Sequence, residues 1–562
     1  IDGDTVWFWG DDDGQVMDWP IGEKPYQEMR IHNGSLFAVE LFAERELGVR
    51  WLWPGDEGIS YRPAKKVALP DRTERSFETK MVKSRIRNYW QYGTHKYLTH
   101  AYTAPKELRG MLGVESRDLK GDWERRWLWM RMNRLQDRDF FQYGHAFTDW
   151  KNRFVQTHPD YLNLTRATGE RGTTGGEGPE RTKCCVSNEA VVDQIVADWV
   201  RGGKEKYLNV CPNDSKGYCR CEKCRALDAD LPGERFVHHK TDRYINFWNR
   251  LTAKAVKLRP DVMVTVFAYS VLRHPPRRER IAYPDNMRFS FVPTFHDTDK
   301  MGMVAAWKKA GMKHFYMRPN YLCARNHMPY GIERTVYDEI RAFMDAGASG
   351  FQFDGSREFP NMAFEIYVAE RLSADPNVSF ARIEHDFCAR FGAAAKTVQA
   401  YYGRVRARCD REWPRLVQWL RENDLEFLDD GHFCHYVDRL HTVGEFEDDL
   451  LLLETFRGEL KGEAARRFAD LKACVRHQIL AKRAYLSKSG ADKQALLAFR
   501  LANRDALGWG FGNVYRKGEA ELWDPASCRM QFGSEAFVEQ YENAMKPTGT
   551  AVQPAPMRVI RD

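Results

Sequence analysis

The sequence lacks the signatures of several large enzyme classes. It contains no G-x-S-x-G elbow, no H-E-x-x-H pair, no G-x-x-x-x-G-K-[ST] loop and no G-x-G-x-x-G after a strand-like run. These patterns supply the nucleophile, the metal ligands or the phosphate-binding backbone of well-known enzymes. Their absence argues against a serine hydrolase, a zinc protease, a kinase and a dinucleotide-dependent enzyme.

Long apolar runs and charge blocks are also missing. No apolar stretch reaches about 18 residues, the length that a membrane-spanning helix needs. The net charge is only +7, from 86 basic and 79 acidic residues, and no Lys/Arg block resembles a nucleic-acid-binding arm. We therefore expect no membrane span and no nucleic-acid partner. With 562 residues and no internal repeat, two or three domains are expected.

Cysteines and aromatic residues are the unusual part of the composition. The 12 cysteines follow no regular framework, which argues against a small disulfide scaffold. The 17 tryptophans and 24 tyrosines could provide flat faces for sugar rings. The alternative is ordinary core packing, because large domains bury many aromatic side chains.

The first 80 residues predict an N-terminal α/β domain. Apolar residues in GSLFAVELFAEREL recur at helical spacing, and the pattern predicts a helix that begins after Gly34-Ser35 and stops at Gly48. The next residues, 49–53, read as a strand that turns at Pro54-Gly55.

Residues 81–358 predict a catalytic domain with a parallel sheet. Seven short apolar runs alternate with helical stretches, which is typical of a (β/α)8 TIM-type barrel. An open doubly wound sheet would give a similar pattern and stays the alternative. The runs are Arg85–Tyr92, Asp139–Phe147, Lys206–Pro212, Val262–Ser270, Arg288–Phe295, Lys313–Arg318 and Ser349–Asp354.

Helical periodicity dominates after residue 358. Segments such as ARIEHDFCARF and ADLKACVRHQILAKRAYL predict a helical C-terminal domain over residues 359–546, followed by a tail at 547–562.

Two acidic positions follow strand-like runs and are the candidate catalytic groups. Asp214 comes after Lys206–Pro212, and Asp354 ends the last run, with Glu358 close behind. Glycoside hydrolysis requires two carboxyl groups, one to protonate the leaving oxygen and one to stabilise the oxocarbenium-like centre or its nucleophile. For Asp214 the alternative is a simple cap of the following turn.

Other side chains near strand ends are candidate substrate contacts. The arginines could clamp a carboxylate or sulfate or could pair with the aspartates, and the aromatic residues could hold a sugar or pack in the core. The candidates are Arg87, Trp90, His145, Asn213, Tyr269, His296, Arg318 and Tyr321.

A cysteine motif follows Asp214 directly. Cys219, Cys221 and Cys224 supply three thiolates, but a closed zinc site needs four ligands. The possible fourth ligands have no recognised spacing; they are Cys184, Cys185, Cys211, Cys323, His238 and His239. We therefore expect the cysteines to brace the loop without a metal or cofactor, and a structural zinc site stays the alternative.

The chain resembles a known bacterial group. AVELFAERELGVRWLWPGDEG is similar to the N-terminal domain of α-glucuronidases and of bacterial proteins long labelled as a domain of unknown function, part of which is now glycoside hydrolase family 163. The resemblance extends through YGHAF, THPDYLNL, FAYSVLRHPP and DAGASGFQFDG, and its most specific part is VCPNDSKGYCRCEKCRALDA.

The resemblance implies an N-terminal α/β domain, a (β/α)8-type barrel and C-terminal helices. It also implies an endo-β-N-acetylglucosaminidase that acts on N-glycans of glycoproteins, with the substrate's own acetamido oxygen as nucleophile. FDGSREF departs from the family pattern, and no adjacent Asp-Glu pair ends a predicted strand. Our leading hypothesis is a secreted or periplasmic glycoside hydrolase. The alternatives are a uronidase that acts on an acidic or sulfated polysaccharide, and a non-catalytic carbohydrate-binding protein.

Overall fold

The structure is a computed structural model of the chain. It describes residues 7–10, 12, 34–53, 55–68, 83–87, 128–135, 144–165, 169–172, 178–215, 217–232, 239–295, 297–321, 329–354, 359–422, 440–486 and 490–503.

A six-stranded parallel sheet forms the centre of the described part. Its strands are β3 (Lys83–Arg87), β4 (Tyr207–Asn209), β5 (Met263–Ala268), β6 (Met287–Phe291), β7 (His314–Met317) and β8 (Gly350–Asp354). The order across the sheet is β3-β8-β7-β6-β5-β4. Each of these strands lies within or overlaps one of the predicted apolar runs, although most are shorter than predicted. Of the remaining predicted run, residues 139–143 lie outside the described residues, and residues 144–147 form a bend and turn instead of a strand.

Helices cover one face of this sheet. Between the strands lie α2 (Trp150–Phe154), α3 (Glu189–Arg201), α4 (Glu222–Ala226), α5 (Thr241–Leu258), α6 (Lys300–Lys309) and α7 (Glu333–Asp345). Phe289 on β6 packs against Trp248 of α5 and Trp307 of α6, with ring centroids 6.2 and 5.2 Å apart. Phe291, two residues further, contacts Phe343 of α7 at 5.7 Å. The three helices therefore lie on the same side, as right-handed crossovers between neighbouring parallel strands require.

The opposite face of the sheet is polar but also buried. Thr265, Ser290, Tyr316 and Gln352 come from four different strands, and none is more than 1% exposed. The strand register pairs Ser290 directly with Tyr316, and side chains alternate along each strand, so these residues share one face. The two faces of the sheet therefore differ: one packs apolar side chains against helices, and the other buries polar side chains.

An N-terminal unit packs on the C-terminal helices. Helix α1 (Gly34–Arg45) is followed by Gly48, whose φ of +67° is the left-handed conformation predicted for that glycine. The predicted strand is shorter than expected, because only β1 (Arg50–Trp51) pairs, antiparallel, with β2 (Ile59–Ser60). Arg50 donates a hydrogen bond to Asp386 at 2.7 Å.

The helical C-terminal region is confirmed. The helices described there are α8 (Phe359–Ala374), α9 (Phe380–Ala389), α10 (Ala395–Glu422), α11 (Val443–Glu454), α12 (Gly462–Leu486) and α13 (Gly490–Ala502). The tail at 547–562 lies outside the described residues. Within the described part of the chain, every helix is too short or too polar to cross a membrane.

A buried ion-pair cluster joins α1 to α8. Glu44 contacts Arg134 and Arg371, each at 2.5 Å, and its side chain is 3% exposed. Burial opposes ionisation of this carboxyl group, but the two arginines outweigh burial and hold the pKa of Glu44 at about 2. Because this pKa lies below the ordinary value of 4.5, the stabilisation is fully present above about pH 4.5 and is lost as the pH falls toward 2.

We expect Glu44→Gln to destabilise the protein strongly at neutral pH. Removing one partner of a buried ion pair costs about 3–5 kcal/mol, and the difference from the wild type should shrink below about pH 4.5. Urea unfolding at several pH values measures both effects. The matched control is Glu447→Gln, which breaks the half-exposed pair with Arg483 and should change stability by less than about 1 kcal/mol. Equal losses in the two variants would contradict the assignment.

Candidate functional site

The candidate site lies at the carboxyl edge of the sheet. Strands β4, β5 and β7 are followed by Asp214, Tyr269 and Arg318, respectively. Because all the strands run in the same direction, their carboxyl ends meet at one edge. This edge therefore collects the residues that the sequence singled out separately.

Phe267 is at the centre of this group. Its ring contacts the rings of His145 and Tyr269, with centroids 6.3 and 5.9 Å apart. The guanidinium carbon of Arg318 lies 5.7 Å from the same ring centroid. The structure thus brings three of the predicted substrate contacts around one aromatic residue.

His145 has a defined tautomer. Its Nδ1 lies 3.0 Å from the carbonyl oxygen of Pro212, and since a carbonyl only accepts, Nδ1 carries the proton. In the neutral ring, Nε2 is then an acceptor. A neutral His145 could accept a hydrogen bond or a proton from a bound hydroxyl group.

The charge on His145 depends on its neighbours. The residue reaches the surface, yet the protein atoms packed around its ring lower its pKa. The hydrogen bond to Pro212 and the negative charge of Asp214 act in the opposite direction, whereas the positive charges of Lys183 and Arg318 lower the pKa further. His145, Asp214 and Arg318 therefore form one electrostatic group.

Asn213 has a structural role that its position in the sequence did not reveal. Its amide donates to the carbonyl oxygens of Phe147 and Thr182 at 2.8 and 2.7 Å, and its Oδ1 accepts from the Phe147 N–H at 3.0 Å. The residue is 1% exposed. These bonds occupy the side chain, so the predicted substrate contact is replaced by a role in positioning the loop.

Lys183 supports the same loop and was not predicted. Its ammonium group donates to the carbonyl oxygen of Asn213 at 2.5 Å and lies 4.2 Å from the ring centroid of Tyr218. The residue is 3% exposed. No sequence pattern indicated this contact, because Lys183 precedes Asn213 by 30 residues.

The predicted role of Tyr321 is wrong. It was predicted as a sugar platform, but the residue is fully buried, and its ring packs edge-on against Phe295 at 5.0 Å. Lys300 lies 5.2 Å from the centroid of the same ring. A sugar cannot stack on a ring that protein atoms cover, so Tyr321 is a core residue.

The end of β5 carries backbone strain. Ser270 adopts φ +54°, a left-handed conformation that is uncommon for residues other than glycine. Three residues later, Arg273 lies 3.3 Å from Asp297, and both side chains are buried. Residues held in uncommon backbone conformations tend to cluster at functional sites. Sequence patterns gave no indication of either feature.

The remaining predicted residues are described only in part. The backbone of Arg87 ends β3 and pairs in register with Asp354, which ends β8. Both residues therefore lie at the carboxyl edge of the sheet. Trp90, His296 and Glu358 lie outside the described residues, and their roles stay predictions.

In the structure a fourth cysteine, Cys185, lies beside the three cysteines of the motif. The sulfur atoms of Cys185, Cys219, Cys221 and Cys224 all lie within 4.8 Å of one another. Among the possible fourth ligands, it is Cys185 that folding brings to the motif, from 34 residues upstream of Cys219. Of the other possible ligands, Cys323 and His238 lie outside the described residues. Cys184, Cys211 and His239 are described and are not part of the cluster.

These features define a mixed α/β protein with a polar site at the carboxyl edge of a parallel sheet. A profile of the family described as "Domain of unknown function (DUF4838)" matches residues 53–403. The match covers more than half of the chain, and the chain belongs to this family. A comparison with curated proteins finds none that matches.

We expect Asp214→Asn to lower the pKa of His145 further. The substitution removes a negative charge that favours the imidazolium ion, so the ring should titrate at lower pH than in the wild type. NMR titration of histidine labelled at Cε1 measures this, with His145→Gln to assign the signal. Asp149→Asn, which changes an exposed carboxylate near the same segment, is the control and should leave the titration unchanged. A raised or unchanged pKa in Asp214→Asn would contradict the assigned charge group.

Proposed function

We propose that this chain is a glycoside hydrolase whose substrate binds at the carboxyl edge of the sheet. The observation that carries the proposal is the gathering of Asp214, His145 and Arg318 beside the aromatic rings of Phe267 and Tyr269. Sugar sites commonly combine an aromatic face with convergent polar groups that bond to hydroxyls.

A (β/α)8 barrel would suit this activity, and two features support it. The first strand of the sheet, β3, pairs with the last, β8, as the first and last strands do in a closed barrel. Strands β4 to β8 are neighbours in chain order, with helices on one face and a buried polar layer on the other. An open doubly wound sheet would instead place its first strand in the interior and helices on both faces.

The remaining gap in such a barrel would lie between β3 and β4. The predicted strand at residues 139–147 falls between them along the chain. Its described end lies beside β4, because the Ala146 N–H donates to the carbonyl oxygen of Cys211 at 3.0 Å and the Asn209 amide donates to that of Gly144 at 2.9 Å. These two hydrogen bonds support a position between β3 and β4 for the strand predicted at residues 139–147.

Asp214 is the proposed acid, and a carboxyl group from Asp354 or Glu358 is its proposed partner. Asp214 is partly exposed rather than fully buried, so its carboxyl group could reach a glycosidic oxygen. The backbone of Asp354 is at the same edge of the sheet. One group would protonate the leaving oxygen, and the other would orient the nucleophile or stabilise the oxocarbenium-like centre.

For the substrate we propose a complex N-glycan cleaved by an endo-β-N-acetylglucosaminidase. The resemblance of the Asn213-Asp214 and cysteine segment to glycoside hydrolase family 163 favours this substrate. In such a reaction the acetamido oxygen attacks the anomeric carbon, the glycosidic bond breaks, and the acid protonates the leaving sugar. Water then opens the oxazolinium intermediate and restores the amide.

We expect Asp214→Asn to lower kcat by about 100-fold or more, which is the usual scale of general acid catalysis, with little change in KM. The loss should be smaller on an aryl glycoside whose leaving group needs little protonation. Release of free glycan from a glycoprotein, followed by mass spectrometry, measures the activity, and Asp149→Asn is the control. Full activity in Asp214→Asn would contradict the role. Glycan binding without turnover in the wild type would instead favour a carbohydrate-binding protein.

A uronidase is the second candidate, because a buried guanidinium group lies at the same edge. Arg318 is 5% exposed, and its Nη1 donates to Asn320 at 2.9 Å, which fixes the guanidinium beside the site. A planar guanidinium group in a fixed orientation suits a sugar carboxylate or sulfate.

We expect Arg318→Gln to separate the two candidates. If Arg318 binds an acidic sugar, KM should rise about 10- to 150-fold for acidic oligosaccharides and little for neutral ones, since a charge-assisted hydrogen bond contributes about 1.5–3 kcal/mol. Steady-state kinetics on a matched pair of charged and neutral oligosaccharides measure this. Equal losses on both substrates would assign Arg318 to support of the site.

A further inference from the structure

Four cysteine sulfurs form a compact cluster beside the candidate site. The sulfur of Cys185 lies 3.7 Å from that of Cys219, 3.7 Å from that of Cys221 and 3.8 Å from that of Cys224. All four sulfurs lie within 4.8 Å of one another. Cys185, Cys219 and Cys224 are buried, and Cys221 is partly exposed.

These distances fit a tetrahedral metal site and do not fit disulfides. A bonded sulfur pair lies about 2.05 Å apart, well below the separations in the cluster. In a tetrahedral zinc site, Zn–S bonds of about 2.3 Å place the sulfurs about 3.8 Å from one another. The three distances from Cys185 agree with that spacing.

The protein around the cluster is suited to thiolates. The backbone N–H of Leu164 donates to the sulfur of Cys219 at 3.3 Å. The guanidinium group of Arg171 interacts electrostatically with Cys185, Cys219 and Cys221, which raises the pKa of Arg171. Arg243 donates to the carbonyl oxygen of Cys219 at 2.7 Å. Four thiolates around a divalent ion carry a net charge of −2, and the positive charge of Arg171 offsets part of it. The guanidinium group of Arg243 is also paired with Asp228. Such outer contacts orient metal ligands and tune their affinity.

We propose that Cys185, Cys219, Cys221 and Cys224 bind one structural zinc ion. Binding replaces four S–H bonds by four Zn–S bonds and releases four protons to solvent, with no change in oxidation state. Four protein ligands close the coordination sphere and leave no position for water or substrate, so the ion is structural rather than catalytic. The proposal does not depend on the glycoside hydrolase activity.

The zinc ion would add a link between two segments that Asn213 and Lys183 already join by hydrogen bonds. Cys185 comes directly after Cys184, which forms an isolated antiparallel bridge with Leu162. Cys221 is the N-cap residue of α4, and Cys224 lies within this helix. The loop that carries Asp214 lies between β4 and this helix. The ion therefore fixes the far end of the Asp214 loop, whose near end is held by Asn213.

The test is the metal content of the full-length chain, purified under reducing conditions without chelators. We expect about one zinc per chain in the wild type, as in other four-cysteine sites. Cys185→Ala and Cys221→Ala should lose it. The matched control is Cys184→Ala, because Cys184 is buried and adjacent to Cys185 but outside the cluster. It should retain the zinc.

Two further measurements keep the test independent of whether the variants fold. Thiol titration of the folded wild type with a mercurial reagent should release zinc, which a chromogenic chelator detects. Cobalt exchanged into the wild type should give the visible absorption of a tetrahedral thiolate complex. Arg171→Gln should weaken zinc affinity by about 10- to 100-fold, the usual effect of an outer-shell change.

Three results would overturn the proposal. The first is a wild-type protein with no bound metal, in which the thiols of these four cysteines react freely. The second is a disulfide between any two of them in the reduced preparation, and the third is iron in place of zinc. Zinc retained in both Cys185→Ala and Cys221→Ala would also contradict it, because the ion would then be bound elsewhere.

Discussion

The candidate site depends on one constraint, which is that all six strands of the central sheet run in the same direction. Strand β4 is followed by Asp214, β5 by Tyr269 and β7 by Arg318, and these residues are far apart along the chain. Parallel pairing brings their strand ends to one edge. A single reversed strand would move its polar end to the opposite edge, so pairing direction determines which side chains can act together.

The loop after β4 needs more than the sheet to hold it. Asn213 makes three bonds to backbone groups of Phe147 and Thr182, and the ammonium group of Lys183 contacts the Asn213 carbonyl oxygen. These contacts are buried, where an unpaired polar group would be costly. Asp214 comes immediately after this anchored residue, so its backbone position is fixed, and the residue is partly exposed.

Sequence patterns predicted the strands of the sheet, because a run of apolar residues that forms a strand is visible over a few consecutive positions. The apolar run Val262–Ser270 contains the observed strand β5, and the run Arg288–Phe295 overlaps β6, which begins one residue earlier and ends four residues earlier than predicted. The same reasoning placed Asp214, Tyr269 and Arg318 at strand ends. It was insufficient for Tyr321, since position after a strand does not tell whether the ring faces solvent or Phe295. Asn213 was misassigned for the same reason.

Cys185 could not be assigned by spacing, because its partners lie more than 30 residues away and only tertiary folding joins them. Its place beside the candidate site raises the question of how the cluster affects the chemistry. The charged groups that influence the pKa of His145 are Asp214, Lys183 and Arg318. The cysteines meet other charged groups: Arg171 interacts electrostatically with their sulfurs, whereas Arg243 is paired with Asp228 and donates to the carbonyl oxygen of Cys219. Lys183 links the position of the Asp214 loop to the charge on His145, because it donates to the carbonyl oxygen of Asn213 and its positive charge lowers the pKa of His145.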